Sequence, residues 1–281
     1  MIEEIKIDKN RLDDDRISEK ETTEMRGRLG SLLYLCGNTR PFECYAVSHL
    51  AGWVTEATVK HLKMINAVIK HAKSTKHIHL WYQNQKSKSK PILYTFADSN
   101  FKKERDGGSQ MGIFSIIGET PDENGCFYAE VLRFNSNRAK RVAHSTLSAE
   151  TLAGTGGLEQ NVGTRMRLAE FEIVVDGVLL TDCRSLFDGL YSLTSKVSEI
   201  LVPDFFQLRE HLMPWRCAHS PEFDGLHVEM WWIPTYLQMA DNLTKMITPS
   251  TKVFLQSLET NTFSLPEYLR PRPAQRALKD F

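Results

Sequence analysis

Apolar residues recur along the chain in two rhythms, and the change from one to the other divides it. From Met25 to about Lys76 the rhythm is helical: "RGRLGSLLYLCGNTRPFECYAVSHLAGW" carries apolar clusters broken at Gly37 and Pro41. Val59, Leu62, Ile65, Ile69 and Ala72 then recur at three- and four-residue steps, with Thr55 as the capping residue. The other side of that helix carries Lys60, Lys63, Lys70 and Lys73, which reads first as a solvated face and only second as a phosphate-binding one. "HIHLWYQ" reads as a short strand, and "NQKSKSKP" as a polar hinge with no residue to bury.

Beyond Pro91 the pattern turns mixed. Strands are expected at 92–97, 111–118 and 127–134, separated by the turn-forming "DGGSQ" and "TPDENG". A helix follows over 148–162, capped from Ser145, Thr146 or Ser148. Gly154, Gly156 and Gly157 each cost this helix ~1 kcal/mol relative to Ala, which predicts fraying of its later turns. A strand at 178–181, helices at 184–193 and 203–212, a strand in "LHVEMWWIP" and a last helix in "YLQMADNLTKMI" complete the order. The pattern predicts an α/β mixed sheet of five strands with helices on its faces. The expected divisions are a charged flexible lead-in at 1–24, a helical unit at 25–82, a linker at 83–90, the α/β domain at 91–247 and a tail at 248–281. The tail's "YLRPRPAQRALKDF" argues against core structure, so it is expected to pack loosely or not at all.

Composition narrows the classes. Lys plus Arg and Asp plus Glu both total 35, so no whole-molecule field points to nucleic acid or membrane, and polyanion binding has to come from local clusters. The odd, scattered cysteines suit free thiols in a reducing compartment, and His211, Cys217 and His219 lack zinc-ligand spacing. No stretch approaches the ~20 apolar residues of a bilayer span, and "MIEEIKIDKN" is too charged for a signal peptide. A soluble intracellular location, cytoplasmic or nuclear, is expected, with no membrane partner.

Candidate chemistry comes from four acids at the ends of apolar elements. Asp98 ends the first strand, Glu150 opens the first helix after the strands, Asp182 closes "GVLLTD" and Asp241 begins the last helix. Asp98, followed by Ser99 and Asn100, is on its own ordinary turn chemistry. If the first and fourth strands are neighbours, however, the four ends converge. Two carboxylates ~4 Å apart repel by roughly 4 kcal/mol at an effective dielectric near ~20, so convergence demands protonation or cations. Magnesium is the natural guest for such oxygens, and two ions ~3.5 to 4 Å apart suit phosphodiester hydrolysis.

These residues also carry a resemblance. "FADSNF", Ser109 with Gly112, "STLSAETLA", "TDCRSL" and "IPTYLQMADNLTK" resemble, in order, the motifs of the ribonuclease H domain of copia-type LTR retrotransposon Pol polyproteins. "RGRLGSLLYLCGNTRPFECYAVSHLAG" resembles the end of the reverse transcriptase that precedes that domain. The resemblance implies a ribonuclease H-like fold at 91–247 and cleavage of the RNA strand in RNA·DNA hybrids. Asp98, Glu150, Asp182 and Asp241 would be the catalytic residues and the ligands of two magnesium ions, with manganese as the substitute. Lys102, Lys103, Arg105, Arg138, Lys140 and Arg141 flank the acids as candidate phosphate contacts. Nothing before Met25 resembles the polymerase hairpin, so the chain is expected not to polymerise DNA and to be a fragment or a truncated copy. The missing polymerase part is then a candidate partner. The helical unit is accordingly expected to pack only modestly on the sheet domain and to leave an apolar patch exposed. Two alternatives stand beside this reading: a catalytically decayed nucleic-acid-binding remnant, which Thr151 and Cys183 would suit, and another nuclease on the same fold.

Overall fold

The computed structural model describes residues 2–82, 90–102, 104, 107–191, 201–212, 227–246, 248 and 250–266. The expected linker therefore lies outside the described residues except for Lys90. Three helices come first: α1 (Glu19–Thr39), α2 (Cys44–Ala51) and α3 (Val59–Ser74). Then follow β1 (Ile92–Asn100), β2 (Gln110–Gly118), β3 (Cys126–Arg138), α4 (Thr146–Ala169), β4 (Asp176–Thr181), α5 (Arg184–Tyr191), α6 (Val202–Leu212) and β5 (Val228–Trp232).

The sheet order is β5-β4-β1-β2-β3, extended by a sixth strand, β6 (Thr262–Ser264). β1 pairs parallel with β4, and β4 with β5; β1, β2 and β3 form an antiparallel meander. A three-stranded meander whose first strand is joined in parallel by the next two, with a helix crossing between, is the ribonuclease H-like arrangement expected from the sequence.

Each face of the sheet has its own cover. Side chains alternate along β1, so Tyr94 and Phe96 point one way and Thr95 and Ala97 the other. Ala97, Leu179 and Met230 pack with Leu158, Leu186, Phe205 and Leu208 of α4, α5 and α6. Tyr94, Phe96, Phe114, Ile116, Val178 and Leu180 share one buried cluster with Met25, Leu29, Leu32, Val47, Leu50, Leu62 and Ile65 of the first three helices. The leader meets the sheet chiefly through α2 against β3, while α1 and α3 pack on α2 and on each other, and Leu33 and Tyr34 of α1 are exposed.

The boundary of the lead-in also shifts. Ile5 is buried, its N–H donates to Asn66 Oδ1 at 2.7 Å, and Asn66 Nδ2 returns a bond to Ile5 O at 2.8 Å. α1 begins inside the charged stretch, where Ser18 and Glu21 cap each other's backbone N–H groups. α3 is capped by Thr58 rather than Thr55, which sits in a short 3-10 turn. The strand expected in "HIHLWYQ" is absent; residues 77–82 are irregular.

α4 runs unbroken past its glycines. A Cβ at Gly157 would lie 2.9 Å from Leu179 Cδ1 and 3.0 Å from Ala97 Cβ, so the residue that costs helix propensity lets the helix lie close on the sheet. Polar bonds then fix its register: Asn161 Nδ2 donates to Leu93 O and Thr95 Oγ1, both at 3.0 Å, and Gln160 Nε2 to Ser115 Oγ at 2.9 Å. At its start, Ser145 Oγ accepts from the Ser148 N–H at 3.1 Å. Ser145→Ala should cost about 1 kcal/mol of unfolding free energy, measurable by urea titration, because that donor loses its acceptor.

The last two expectations change most. "YLQMADNLTKMI" forms two 3-10 turns, Thr235–Leu237 and Met239–Leu243, parted by Gln238 in an extended conformation (φ −75°, ψ 95°). The tail, expected to be loose, contributes α7 (Thr251–Thr260) and β6, whose Phe254, Leu258 and Phe263 are buried in the same core as the leader helices. Residues 267–281 lie outside the described residues.

Candidate active site

Strand register brings the acids together. Phe96 pairs with Leu180 across the parallel β1/β4 ladder, so Asp98 and Asp182, each two residues further on, lie side by side; Asp182 follows the end of β4, whereas β1 does not end at Asp98 as expected but runs on to Asn100 through its pairing with β2. Trp232 Nε1 donates to Asp182 O at 3.0 Å and holds the end of β4 against β5. On the other side of β1, Asp98 pairs with Gly112. A Cβ on Gly112 would lie 2.6 Å from Ala240 O and 2.8 Å from Leu243 Cβ, so the glycine admits the 3-10 turn that carries Asp241. That turn is tied down by Gln238 Nε2 to Ala97 O at 3.1 Å, Asn100 Nδ2 to Thr244 O at 3.0 Å and Ser136 Oγ to Leu243 O at 2.5 Å. Glu150 stands one turn into α4, where Ser99 Oγ donates to its Oε1 at 2.9 Å.

Carboxylate oxygens of Asp98, Asp182 and Asp241 lie within 4.8 Å of one another. At that separation each ionised pair repels by roughly 3 kcal/mol at an effective dielectric of ~20. Glu150 joins them through Ser99, the residue after Asp98. The cluster differs from the exposed pocket expected of such a set: Asp98, Glu150 and Asp241 are buried, because the Gln238–Lys245 segment closes over the strand ends. Thr244 Oγ1 donates to Asp98 Oδ2, and Lys245 Nζ pairs with Asp241 Oδ1 and lies 3.7 Å from Asp98 Oδ2. The Thr235 and Gln238 side chains favour the charged form of the Asp182 carboxyl. The roles of Ser99, Thr235, Gln238, Thr244 and Lys245 were not foreseen; all but Ser99 fall in the terminal motif, but only the fold shows which acid each one serves.

Burial raises the acids. Asp98 is pushed well above the usual carboxylate range by burial and then by the Glu150 charge. Glu150 rises to about 8, chiefly by burial, against the opposing bond from Ser99. Asp182 is raised by burial and by Asp241, against the opposing effect of Thr235 and Gln238. For Lys245, burial works to lower the value, but the Asp98 charge and the bond and charge of Asp241 outweigh it. The folded chain therefore holds protons that the unfolded chain releases. With metal chelated, the Glu150 contribution to stability is complete below 4.5, its ordinary value, and is lost as pH rises through about 8. The melting temperature in chelator should accordingly fall across that interval; a rise would contradict the burial of these acids.

The donor set fits divalent oxygen-seeking ions. All four residues are carboxylates, and Asp241 Oδ2 and Glu150 Oε2 are buried without a hydrogen-bond partner among the described residues.

The expected phosphate contacts are less gathered. Lys102 and Lys140 are exposed, and Arg138 lies at the end of β3 with its guanidinium against Gly108. Arg141 pairs with buried Asp204 at 2.5 Å, while Lys103 and Arg105 lie outside the described residues. A cationic group not foreseen is Arg184, whose guanidinium lies 5.2 Å from the centre of the Trp232 ring and pairs with Asp188 at 2.9 Å. Both residues lie in sequence beside elements of the site, but their stacking depends on the β4/β5 pairing. No described helix is long and apolar enough to cross a membrane.

No family model matches the chain, and no curated protein matches it. Among solved structures it is similar to the N-terminal RNase H domain of a Mycobacterium tuberculosis protein, solved as a fusion with maltose-binding protein. That likeness has a TM-score of 0.35 and 12% identity over 60% of this chain and 96% of that one. It is also similar to LC11-RNase H1, isolated from compost by a metagenomic approach (TM-score 0.35, 19% identity, 55% of this chain and 91% of that one). A third is the prototype foamy virus protease-reverse transcriptase (TM-score 0.32, 10% identity, 64% of this chain and 21% of that one). These likenesses are distant; strand order and register define the fold.

Proposed function

We propose that the chain is a metal-dependent endonuclease of ribonuclease H type that cleaves the RNA strand of RNA·DNA hybrids. Its motifs further support an origin in the Pol polyprotein of a copia-type retrotransposon, with residues 25–82 derived from the end of a reverse transcriptase and no polymerase activity in these residues. The observation that carries the reading is the convergence of Asp98, Asp182 and Asp241 within 4.8 Å, with Glu150 joined through Ser99. Three separate elements place carboxylates within 4.8 Å, and a fourth bears Glu150 beside them through Ser99, which turn chemistry alone does not require.

Magnesium, or manganese in its place, bound by Asp98, Glu150, Asp182 and Asp241 would supply an activated water and neutralise charge on the departing oxygen. The chain's part is positioning. Adjacent parallel strands set the spacing of Asp98 and Asp182, and Thr244 orients the Asp98 carboxylate. Lys102, Lys103, Arg105, Arg138, Lys140 and Arg141 remain the proposed phosphate contacts, with Arg184 beside them. A hybrid held this way is recognised by groove shape and 2′-hydroxyls rather than by base edges. Free cysteines at 36, 44, 126 and 183 accord with a reducing, intracellular setting.

The second reading, a binding remnant without turnover, draws on the burial of the acids and on Lys245 among them. A strand-labelled hybrid, single-stranded RNA and duplex DNA, each incubated with and without magnesium, separate the readings. Cleavage of the RNA strand in the hybrid alone, and only with metal, is expected. Hybrid binding without cleavage would establish the remnant, and cleavage of duplex DNA would point to a different nuclease.

A further inference from the structure

The terminal motif places a cation inside its own acidic cluster. Lys245 follows Asp241 by one helical turn, and its backbone N–H donates to Asp241 O at 3.0 Å. Its ammonium pairs with Asp241 Oδ1 and approaches Asp98 Oδ2 at 3.7 Å, so it sits between two of the three carboxylates nearest one another. Both acids are almost wholly buried, whereas the lysine side chain is 38% exposed. The anions are thus fixed, and the cation has a way out.

We propose that Lys245 is an intramolecular counter-cation for this cluster, and that its ammonium withdraws toward solvent when a divalent ion is held by Asp98 and Asp241. The inference rests on the metal reading given above and adds to it a residue that positions the acids without being a ligand. An ammonium donates protons to oxygen lone pairs that a hard ion at ~2.0 to 2.6 Å would use, and the two positive charges repel across so short a distance, so ion and ammonium compete for the cluster. The unpartnered Asp241 Oδ2 and Glu150 Oε2 mark where the single lysine charge leaves the cluster incompletely satisfied. Lys245 keeps the strand ends together until a stronger cation arrives, at a cost in metal affinity.

The test uses the full chain without nucleic acid. Mn²⁺ affinity is measured by calorimetry, and melting temperature in chelator and in Mn²⁺, for the parent, Lys245→Met and Lys245→Arg. Lys245→Met should bind Mn²⁺ about tenfold more tightly than the parent, melt lower in chelator and gain more from Mn²⁺, as one unit charge near the ligands is removed. Lys245→Arg, which keeps the charge, should behave like the parent. Should Lys245→Met fail to fold, the unaltered chain still decides: saturating Mn²⁺ should accelerate acetic anhydride labelling of Lys245, read by peptide mass spectrometry, several-fold. Mn²⁺ binding to the parent with no tighter binding by Lys245→Met, or with unchanged or slower labelling, would overturn the proposal alone. Absence of Mn²⁺ binding in every chain would overturn the metal reading and the displacement together.

Discussion

Asp182→Asn should lower hybrid cleavage in magnesium by about a thousandfold, roughly 4 kcal/mol in barrier, while the melting temperature holds or rises. The two effects have opposite signs for one reason. Asp182 is half-buried beside other acids, and burial together with Asp241 already disfavours its charge. An amide keeps the side chain's size and one oxygen, yet removes a repulsion and a proposed metal ligand at once. Phosphate contacts come from other residues, so hybrid binding at low salt should persist. Cleavage rate, melting temperature and binding, measured side by side, separate a metal ligand from a residue that merely ends a strand. Equal cleavage by parent and variant would leave Asp182 only the second role.

Gly112→Ala should be the most damaging single methyl group near the site. The new Cβ would meet Ala240 O at 2.6 Å, Leu243 Cβ at 2.8 Å and Thr244 Cγ2 at 2.9 Å, and the first of these is backbone that has no rotamer to escape into. The 3-10 turn Met239–Leu243 has to lift from β2, carrying Asp241 and Lys245 away from Asp98. A loss of about 1–3 kcal/mol in unfolding free energy is expected from overpacking, together with weaker metal binding and loss of cleavage. Urea unfolding and Mn²⁺ titration of the same preparation test both halves. A variant of parental stability would mean that the turn is not packed on β2 as described.

Much of this arrangement was legible in the chain because strands buried on both faces read as short apolar runs bounded by turn residues. β1, β2, β3, β4 and β5 fall where apolar runs and turn residues place them, but β1 and β3 run past their expected ends to Asn100 and Arg138, so that only Asp182 follows a strand end. The helix with three glycines was misjudged because propensity counts only local cost; Gly157 lies where the helix meets Ala97 and Leu179, and that contact depends on the sheet being formed. The last helix was misread for a related reason. Its apolar residues do recur at helical steps, but the bond from Gln238 Nε2 to Ala97 O and the extended backbone at Gln238 break the run, and both depend on β1.

The leader and the tail were underestimated together. Charged stretches and a terminus rich in Pro and Arg concealed the few residues that bury, Ile5 at one end and Phe254, Leu258 and Phe263 at the other. These residues join one buried cluster, Ile5 beside Asn66 of α3 and Phe254 against Phe114 of β2, and neither segment has a core of its own to betray it. In the site, the four acids were visible as element ends, but their burial was not. It arises from the segment that bears Asp241 and Lys245 folding back over β1 and β2, which no local pattern records.

The most direct test of the proposed metal centre is anomalous diffraction from a crystal of the chain soaked in Mn²⁺. The account predicts Mn²⁺ density within coordination distance of carboxylate oxygens of Asp98, Asp182 and Asp241, with Glu150 on the same centre. Mn²⁺ bound only elsewhere on the surface, with Asp98, Glu150, Asp182 and Asp241 unchanged, would contradict it.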